Sequence, residues 1–402
     1  MKNTGQMIIK KCVLICFGLL LIVAAEGVCR IILTDSKLNI LEAVFTLCQE
    51  DSSLIWRQRK NIKTKFQGQF VKTNSEGLRN DSMTEQKQPR ECRIICLGAS
   101  STFGWGVSGV ETYPAKLQGL LSRLKQGRNY TVINAGQIGY TTFQGKKLLE
   151  EYLLKYSPDI ITVSYILNDI DHCRFFRNDK LSDKELRPLS QTKINIKNLI
   201  TQSSLCFLIR RGVAGVFGKN KRMAIAGLKR KFKFSNIRVS AGDYRKNLEE
   251  IVCSCNTRKI KLLFIKMPVN LPLPGLSEQE KKIINSGNTL SDHYFSLGVQ
   301  DENKKDFDNA LIAFQKALDY QVFECYKDGF IYQQIMEEVA DKHAVPLVDT
   351  QALFKDRIPE EELFNGPEDP IHPNAKGHQL IAEGVYQKIL DLKDMAVKGI
   401  EE

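Results

Sequence analysis

The chain has 402 residues, 43% of them hydrophobic, enough to bury one large core and a smaller module. Its formal net charge is +12, and the excess is unevenly spread. Eleven cysteines without regular spacing and five scattered histidines exclude a disulfide-stapled scaffold and a metal centre of His/Cys/Asp ligands.

Residues 1–33 stand apart. Lys2, Lys10 and Lys11 precede an uncharged apolar run, Cys12 to Ala25, followed by Glu26, Arg30 and then Ile31-Ile32-Leu33. Fourteen uncharged residues fall short of the roughly 20 that cross a bilayer, so the stretch reaches Leu33 only if Glu26 and Arg30 pair or snorkel. Val23-Ala24-Ala25 offers a small-residue cleavage site, leaving a cleaved signal peptide open. Hydrophobicity continues past that site, which favours a signal anchor over residues 12–33 behind a cytoplasmic tail, residues 1–11. The leading lysines put the N-terminus in the cytoplasm and the rest of the chain outside. With that topology a nucleic-acid partner is not expected.

Residues 34–91 read as a polar, mixed connector ending in Asn74-Ser75-Glu76-Gly77-Leu78-Arg79-Asn80-Asp81. Apolar runs at 93–97, 131–134, 159–165, 260–266 and 345–349 then predict strands. They alternate with helical patterns near 112–124, 142–156, 243–257 and 326–343, with a last one at 374–394. Such alternation argues an α/β fold, a parallel sheet covered on both faces, over residues 92–394, with 395–402 as a tail.

Two insertions interrupt it. Residues 171–242 carry Arg210, Arg211, Lys219, Lys221, Arg222, Lys229, Arg230, Lys231, Lys233 and Arg238, with no acidic residue from Arg210 to Arg238. Leu205-Cys206-Phe207-Leu208-Ile209 and further apolar residues are interleaved. Two readings stay open: an amphipathic element on an anionic membrane or glycan, and a solvated basic cap over the site. In residues 288–322, Tyr294, Leu297, Gly298, Phe307, Ala310, Phe314 and Ala317 fall at the offsets of one tetratricopeptide repeat. A single repeat cannot bury its own face, so a helical hairpin packed on the main domain is expected, with a protein partner as the further reading.

Chemistry concentrates in two distant segments. Leu97-Gly98-Ala99-Ser100-Ser101-Thr102-Phe103-Gly104 follows the first strand, and a Gly-initiated turn there presents Ser100 at the carboxyl edge of the sheet. Asp369-Pro370-Ile371-His372-Pro373-Asn374 precedes the last helix. A serine hydroxyl needs a base, and the base an orienting group; Ser100, His372 and Asp369 can fill these roles if the fold joins them. Gly104-Trp105-Gly106-Val107-Ser108-Gly109 matches a dinucleotide fingerprint only literally, six residues past the strand end and without the later acid. No phosphate-binding Gly-Lys-Ser/Thr occurs there, and Thr102 breaks a Gly-x-Ser-x-Gly elbow. His378 reads as structural, His172 as a residue that could line the cleft, and Ser101 as a turn-supporting hydroxyl.

Together with Val132-Ile133-Asn134-Ala135-Gly136 and Ile166-Leu167-Asn168-Asp169, these segments resemble the four dispersed blocks of the SGNH (GDSL-type) esterase and acyltransferase superfamily. The phrase at 74–81 resembles a lead-in of its membrane-anchored bacterial members. The resemblance implies a flavodoxin-like five-stranded α/β/α sheet and a Ser100–His372–Asp369 triad. It also implies an oxyanion hole from the N–H groups of Ser100 and Gly136 and the amide of Asn168, with no cofactor and no metal. The substrate would be an acyl ester, of a glycan or a lipid. Water or a sugar hydroxyl resolves the acyl-enzyme, so an O-acyltransferase of surface polysaccharide is the alternative; a non-catalytic envelope scaffold is another. Two positions depart from the pattern: Ala99 where an Asp is usual, and Ile166 where a Gly is usual, which would narrow the cleft or tilt the Asn168 loop.

Overall fold

A computed structural model describes residues 2–33, 40–124, 129–171, 174–177, 181–218, 221–231, 237–268, 276–358, 362–366, 369 and 371–398. Its centre is a five-stranded parallel sheet of β5 (Glu91–Gly98), β6 (Asn129–Gly136), β7 (Ile160–Ser164), β8 (Lys261–Lys266) and β9 (Leu347–Asp349), in the order β6-β5-β7-β8-β9. Every residue of β7 is buried and only Glu91 of β5 is not, as near-continuous apolar runs in a sheet covered on both faces require. Alternate strand residues feed two cores. Ile95, Leu97, Ile161 and Val163 face α10 (Ala241–Thr257) and α13 (Phe307–Lys342), while Ile94, Cys96 and Leu263 face α4 (Tyr113–Ser122) and α15 (Ala375–Lys398). This is the three-layer α/β/α arrangement expected from the alternation.

The segment expected to be a connector is built into the domain. It holds α2 (Ile40–Leu47) and two antiparallel hairpins, β1 (Cys48–Asp51) with β2 (Ile55–Gln58), and β3 (Lys63–Phe66) with β4 (Gln69–Lys72). Val44, Leu47, Leu54, Trp56 and Phe66 join the first core, and the Trp56 indole N–H donates to the carbonyl of Ile138 at 2.9 Å. Four-residue strands with interleaved Arg and Lys hide this from a periodicity reading. The pattern at 142–156 is also broken, into α5 (Thr142–Leu148), a π turn over Leu149–Leu153 and a 3₁₀ turn over Leu154–Tyr156.

The hairpin insertion is not a closed module. α12 (Leu290–Asn303) is followed by α13, whose 36 residues run from the hairpin straight onto the sheet. A Cβ on Gly298 would meet the Phe314 ring at 2.9 Å, so the glycine lets the two helices touch. The hairpin face is filled from within the chain. Ile225 of α9 (Lys221–Lys231) packs with Ala310 and Phe314, and Lys221 and Lys229 pair with Asp308 and Glu302. Preceding α9, α7 (Gln191–Gln202) packs on α2 and β1, and α8 (Ser204–Gly218) packs on α1 (Lys2–Ile32). The basic insertion thus binds the periphery of the fold. Arg238, counted with its surface charge, is instead 2% exposed.

Candidate active site

Ser100 opens α3 (Ser100–Phe103) just past β5, with Ala99 as N-cap making no side-chain bond. The turn closes because Gly98 has no side chain: a Cβ there would lie 2.0 Å from Thr102 Oγ1 and 2.3 Å from Ser164 Oγ. Thr102 and Ser164 are hydrogen-bonded at 2.7 Å, tying the start of α3 to β7. Beyond α3, Gly104 and Gly106 take φ values of +92° and +77°, conformations L side chains rarely adopt, and the chain doubles back through Trp105.

His372 stands just ahead of α15, whose start is capped by Asn374 Oδ1 accepting the N–H groups of Lys376 and Gly377. Its Nδ1 lies 2.7 Å from Asp369 Oδ1 and its Nε2 lies 2.8 Å from Ser100 Oγ. The Trp105 ring stacks on the imidazole, centroids 4.8 Å apart and planes 10° from parallel. Asn365 fixes the pair, donating its side-chain N–H to Trp105 O at 3.0 Å and its backbone N–H to His372 O at 3.1 Å. Ser101 Oγ donates to Ile371 O at 3.4 Å, the supporting role its position suggested. An imidazole bridging a carboxylate and a hydroxyl is the arrangement that moves a proton off the hydroxyl.

The glycine block requires a correction. Gly136 is the last residue of β6, in register with Gly98, and its N–H donates to Asn134 Oδ1 at 3.0 Å in a buried setting. That donor is spent inside the sheet. The following turn carries a second glycine, Gly139, at φ +74°, where a Cβ would meet the Phe175 ring at 2.7 Å. Among the described residues, no acceptor bonds the N–H of Gly139 or Ser100, or the side-chain amide of Asn168. The Gly139 turn is held from below. Arg238 donates to Gly139 O at 2.8 Å and to Gln144 Oε1 at 2.8 Å, and lies 5.1 Å over the Trp56 ring. Asp183 binds Arg238 and Arg174 and accepts the Thr141 hydroxyl at 2.8 Å. Burial alone would raise the Asp183 carboxyl, but the two guanidinium groups outweigh it and hold it below its usual range.

Asn168 sits in α6 (Leu167–Ile170), next to Asp169, which is fully buried. Asp169 accepts the Thr142 N–H at 2.9 Å and the Thr142 hydroxyl, clamping the Asn168 turn to the start of α5. Burial pushes the Asp169 carboxyl up to about 7. Ile166 does not narrow a cleft. At φ −155° its side chain turns into the first core, 4% exposed. His378 is fully buried, accepts the Tyr113 N–H at 3.1 Å, and is driven down to about 3 by desolvation and then by nearby cations. His172 lies outside the described residues.

Sequence reasoning missed three supporting charges. Arg79, 8% exposed, donates to Phe103 O at 3.1 Å, Gly104 O at 2.7 Å and Val107 O at 2.8 Å, and so holds the strand-to-Trp105 turn. It belongs to the phrase read only as a lead-in. Asp183 and Arg238 carried no local signal, because an acid and a base 55 residues apart look like surface charges until the chain folds.

The GDSL-like Lipase/Acylhydrolase model matches residues 81–385. The structure is similar to the lipase/acylhydrolase from Enterococcus faecalis, at 15% identity over 74% of this chain and 95% of that one, TM-score 0.37. It is also similar to a catalytic mutant of Axe2, an acetylxylan esterase from Geobacillus stearothermophilus, at 14% identity over 74% and 93%, TM-score 0.38. Among curated proteins none matches. With most of its length matched, this chain belongs to the GDSL-like lipase/acylhydrolase family and is an enzyme of the class that hydrolyses ester bonds.

Proposed function

We propose that this is a membrane-anchored serine esterase acting through Ser100, His372 and Asp369. The observation that carries the reading is the unbroken relay from Asp369 Oδ1 through His372 to Ser100 Oγ, closed by residues 272 positions apart. Ser100 Oγ attacks the ester carbonyl, His372 Nε2 takes its proton, and Asp369 keeps Nδ1 protonated and the ring aimed. The tetrahedral oxyanion is received by the Ser100 N–H, the Gly139 N–H in place of Gly136, and the Asn168 amide. His372 returns the proton to the leaving alcohol, and water then releases the acyl group. The stacked Trp105 restricts the imidazole to the plane in which both hydrogen bonds form.

The membrane part rests on α1, where residues Lys10–Ile32 are long and apolar enough to cross a bilayer and are almost uncovered by the rest of the protein. The lysines ahead of it favour a cytoplasmic N-terminus and an extracytoplasmic catalytic domain. Acyl transfer to a glycan hydroxyl uses the same acyl-enzyme and is the second reading; it differs only in the nucleophile that enters. The hairpin's apolar face is filled by α9, so it offers no support to a protein partner, and the intact relay weighs against a scaffold. Fluorophosphonate labelling of the full chain tests the proposal. Labelling lost in Ser100→Ala and slowed in His372→Ala is expected, and labelling that survives Ser100→Ala refutes it. Acetate released from purified envelope glycans, with and without an added acceptor sugar, separates hydrolysis from transfer.

A further inference from the structure

Where α1 spans a bilayer, its far end fixes the depth of two other helices. Glu26 lies 16 residues beyond Lys10, or about 24 Å at 1.5 Å per residue, short of the roughly 30 Å of a hydrocarbon core. With Lys10 at one face, its carboxylate enters the opposite boundary, where a bare charge is costly. It is not bare. Glu26 Oε1 accepts the Ser204 N–H at 3.0 Å and the Arg30 Nε–H at 2.9 Å, while Oε2 accepts the Leu205 N–H at 3.0 Å and the Ser203 hydroxyl at 2.7 Å. The membrane helix therefore caps the N-terminus of α8 with its own acid, matching orphan N–H groups and helix dipole with a negative charge. Hydrogen bonds this short put the α7–α8 junction at the depth of Glu26.

From that junction the two helices carry apolar side chains with no protein cover. On α7, Ile196, Leu199 and Ile200 share one face at 54%, 73% and 42% exposure, and the last two lie within a turn of Ser203. The opposite face is packed: Ile194 is buried, and Asn198 bonds the backbone of Glu50 in both directions. On α8, Ile209 is 56% exposed while Phe207 is buried. Lys193 and Arg210 are exposed beside these residues, basic groups that suit anionic headgroups.

We propose that α7 and α8 lie in the boundary of the bilayer that α1 crosses, with Ile196, Leu199, Ile200 and Ile209 in the acyl layer. The inference rests on reading α1 as a membrane span. The pair would act as an interfacial clamp, so that the catalytic domain is docked on the lipid surface and not hung from a free tether. Because α7 is packed on β1, and β2 on the turn that carries Gly139, the clamp is continuous with the scaffold of the active site.

The test uses the full chain in vesicles of phosphatidylglycerol and phosphatidylethanolamine, with the photocrosslinker p-benzoylphenylalanine at one position at a time. Leu20 reports the span, Leu199 and Ile209 report the clamp, and Glu383, exposed on α15 across the sheet, is the background. Retained fluorophosphonate labelling shows that each variant is folded. Lipid adducts at Leu20, Leu199 and Ile209 about tenfold above those at Glu383 are expected. Adducts at Leu20 with background levels at Leu199 and Ile209, or crosslinks there to protein instead of lipid, overturn the clamp and leave the anchor standing. No adduct at Leu20 overturns the anchor and the clamp together.

Discussion

Arg79→Met isolates the contribution of one buried cation to the turn that carries Trp105. The guanidinium donates three hydrogen bonds to carbonyls of residues 103, 104 and 107 and lies 4.8 Å over the Phe103 ring. Bonds from a charged donor contribute about 1.5–3 kcal/mol each, so about 5–9 kcal/mol is at stake. Against this stands desolvation. Burial pushes Arg79 from its usual range down to about 10, a cost of about 3 kcal/mol that methionine does not incur. The bonds win, and the net loss is about 2–6 kcal/mol, with most of the stacking on Phe103 kept. Applied to some 300 folded residues, that lowers the thermal midpoint of the detergent-solubilised chain by about 3–10 °C. Because the loosened turn also holds Trp105 against His372, kcat/KM for an acetyl ester falls about tenfold or more. Arg79→Lys is intermediate, since a single ammonium cannot reach three carbonyls in a fork. A midpoint shift under about 1 °C with unchanged kcat/KM refutes the reasoning, because the carbonyls would then be satisfied without the guanidinium.

Further outcomes follow from the same geometry. Asn168→Ala lowers kcat about 10²–10³-fold with little change in thermal midpoint, whereas an unchanged kcat removes the amide from the oxyanion site. Asp183→Ala leaves Arg174 and Arg238 buried without their carboxylate and destabilises by about 3–5 kcal/mol, read as a lowered unfolding midpoint. Two buried groups shape the pH dependence in opposite senses. Asp169 has a folded value raised from 3.8 to about 7, so its contribution falls as pH rises between those values. His378 has a folded value lowered from 6.5 to about 3, so its contribution falls as pH drops through that window. Each slope is about 1.4 kcal/mol per pH unit, and they nearly cancel between about pH 4 and 6.5. Stability of Asp169→Asn therefore rises with pH across that window, and stability of His378→Gln falls; parallel profiles for both variants and the parent contradict the assignment.

The local chemistry of the chain was legible from its residues alone. Apolar runs of four to seven residues between helical patterns specify buried parallel strands, because a strand covered on both faces has no polar side to show. A glycine after the first of them specifies a tight turn at Ser100, Asp369 and His372 stand three residues apart just before the last helix, and Asn168 enters only through the resemblance to the family's third block; none of this says which segments meet. Tertiary structure decided what each backbone group was free to do. The resemblance names Gly136 as a donor, and only the fold shows that its N–H is spent on Asn134 Oδ1. Ile166 looked obstructive until its backbone angles turned it into the core. Arg79, Asp183 and Arg238 read as surface charge because their partners are distant in sequence, and a charge declares itself structural only when folding removes its water. The same holds for Glu26: in sequence it interrupts an apolar helix, and in the fold it caps another.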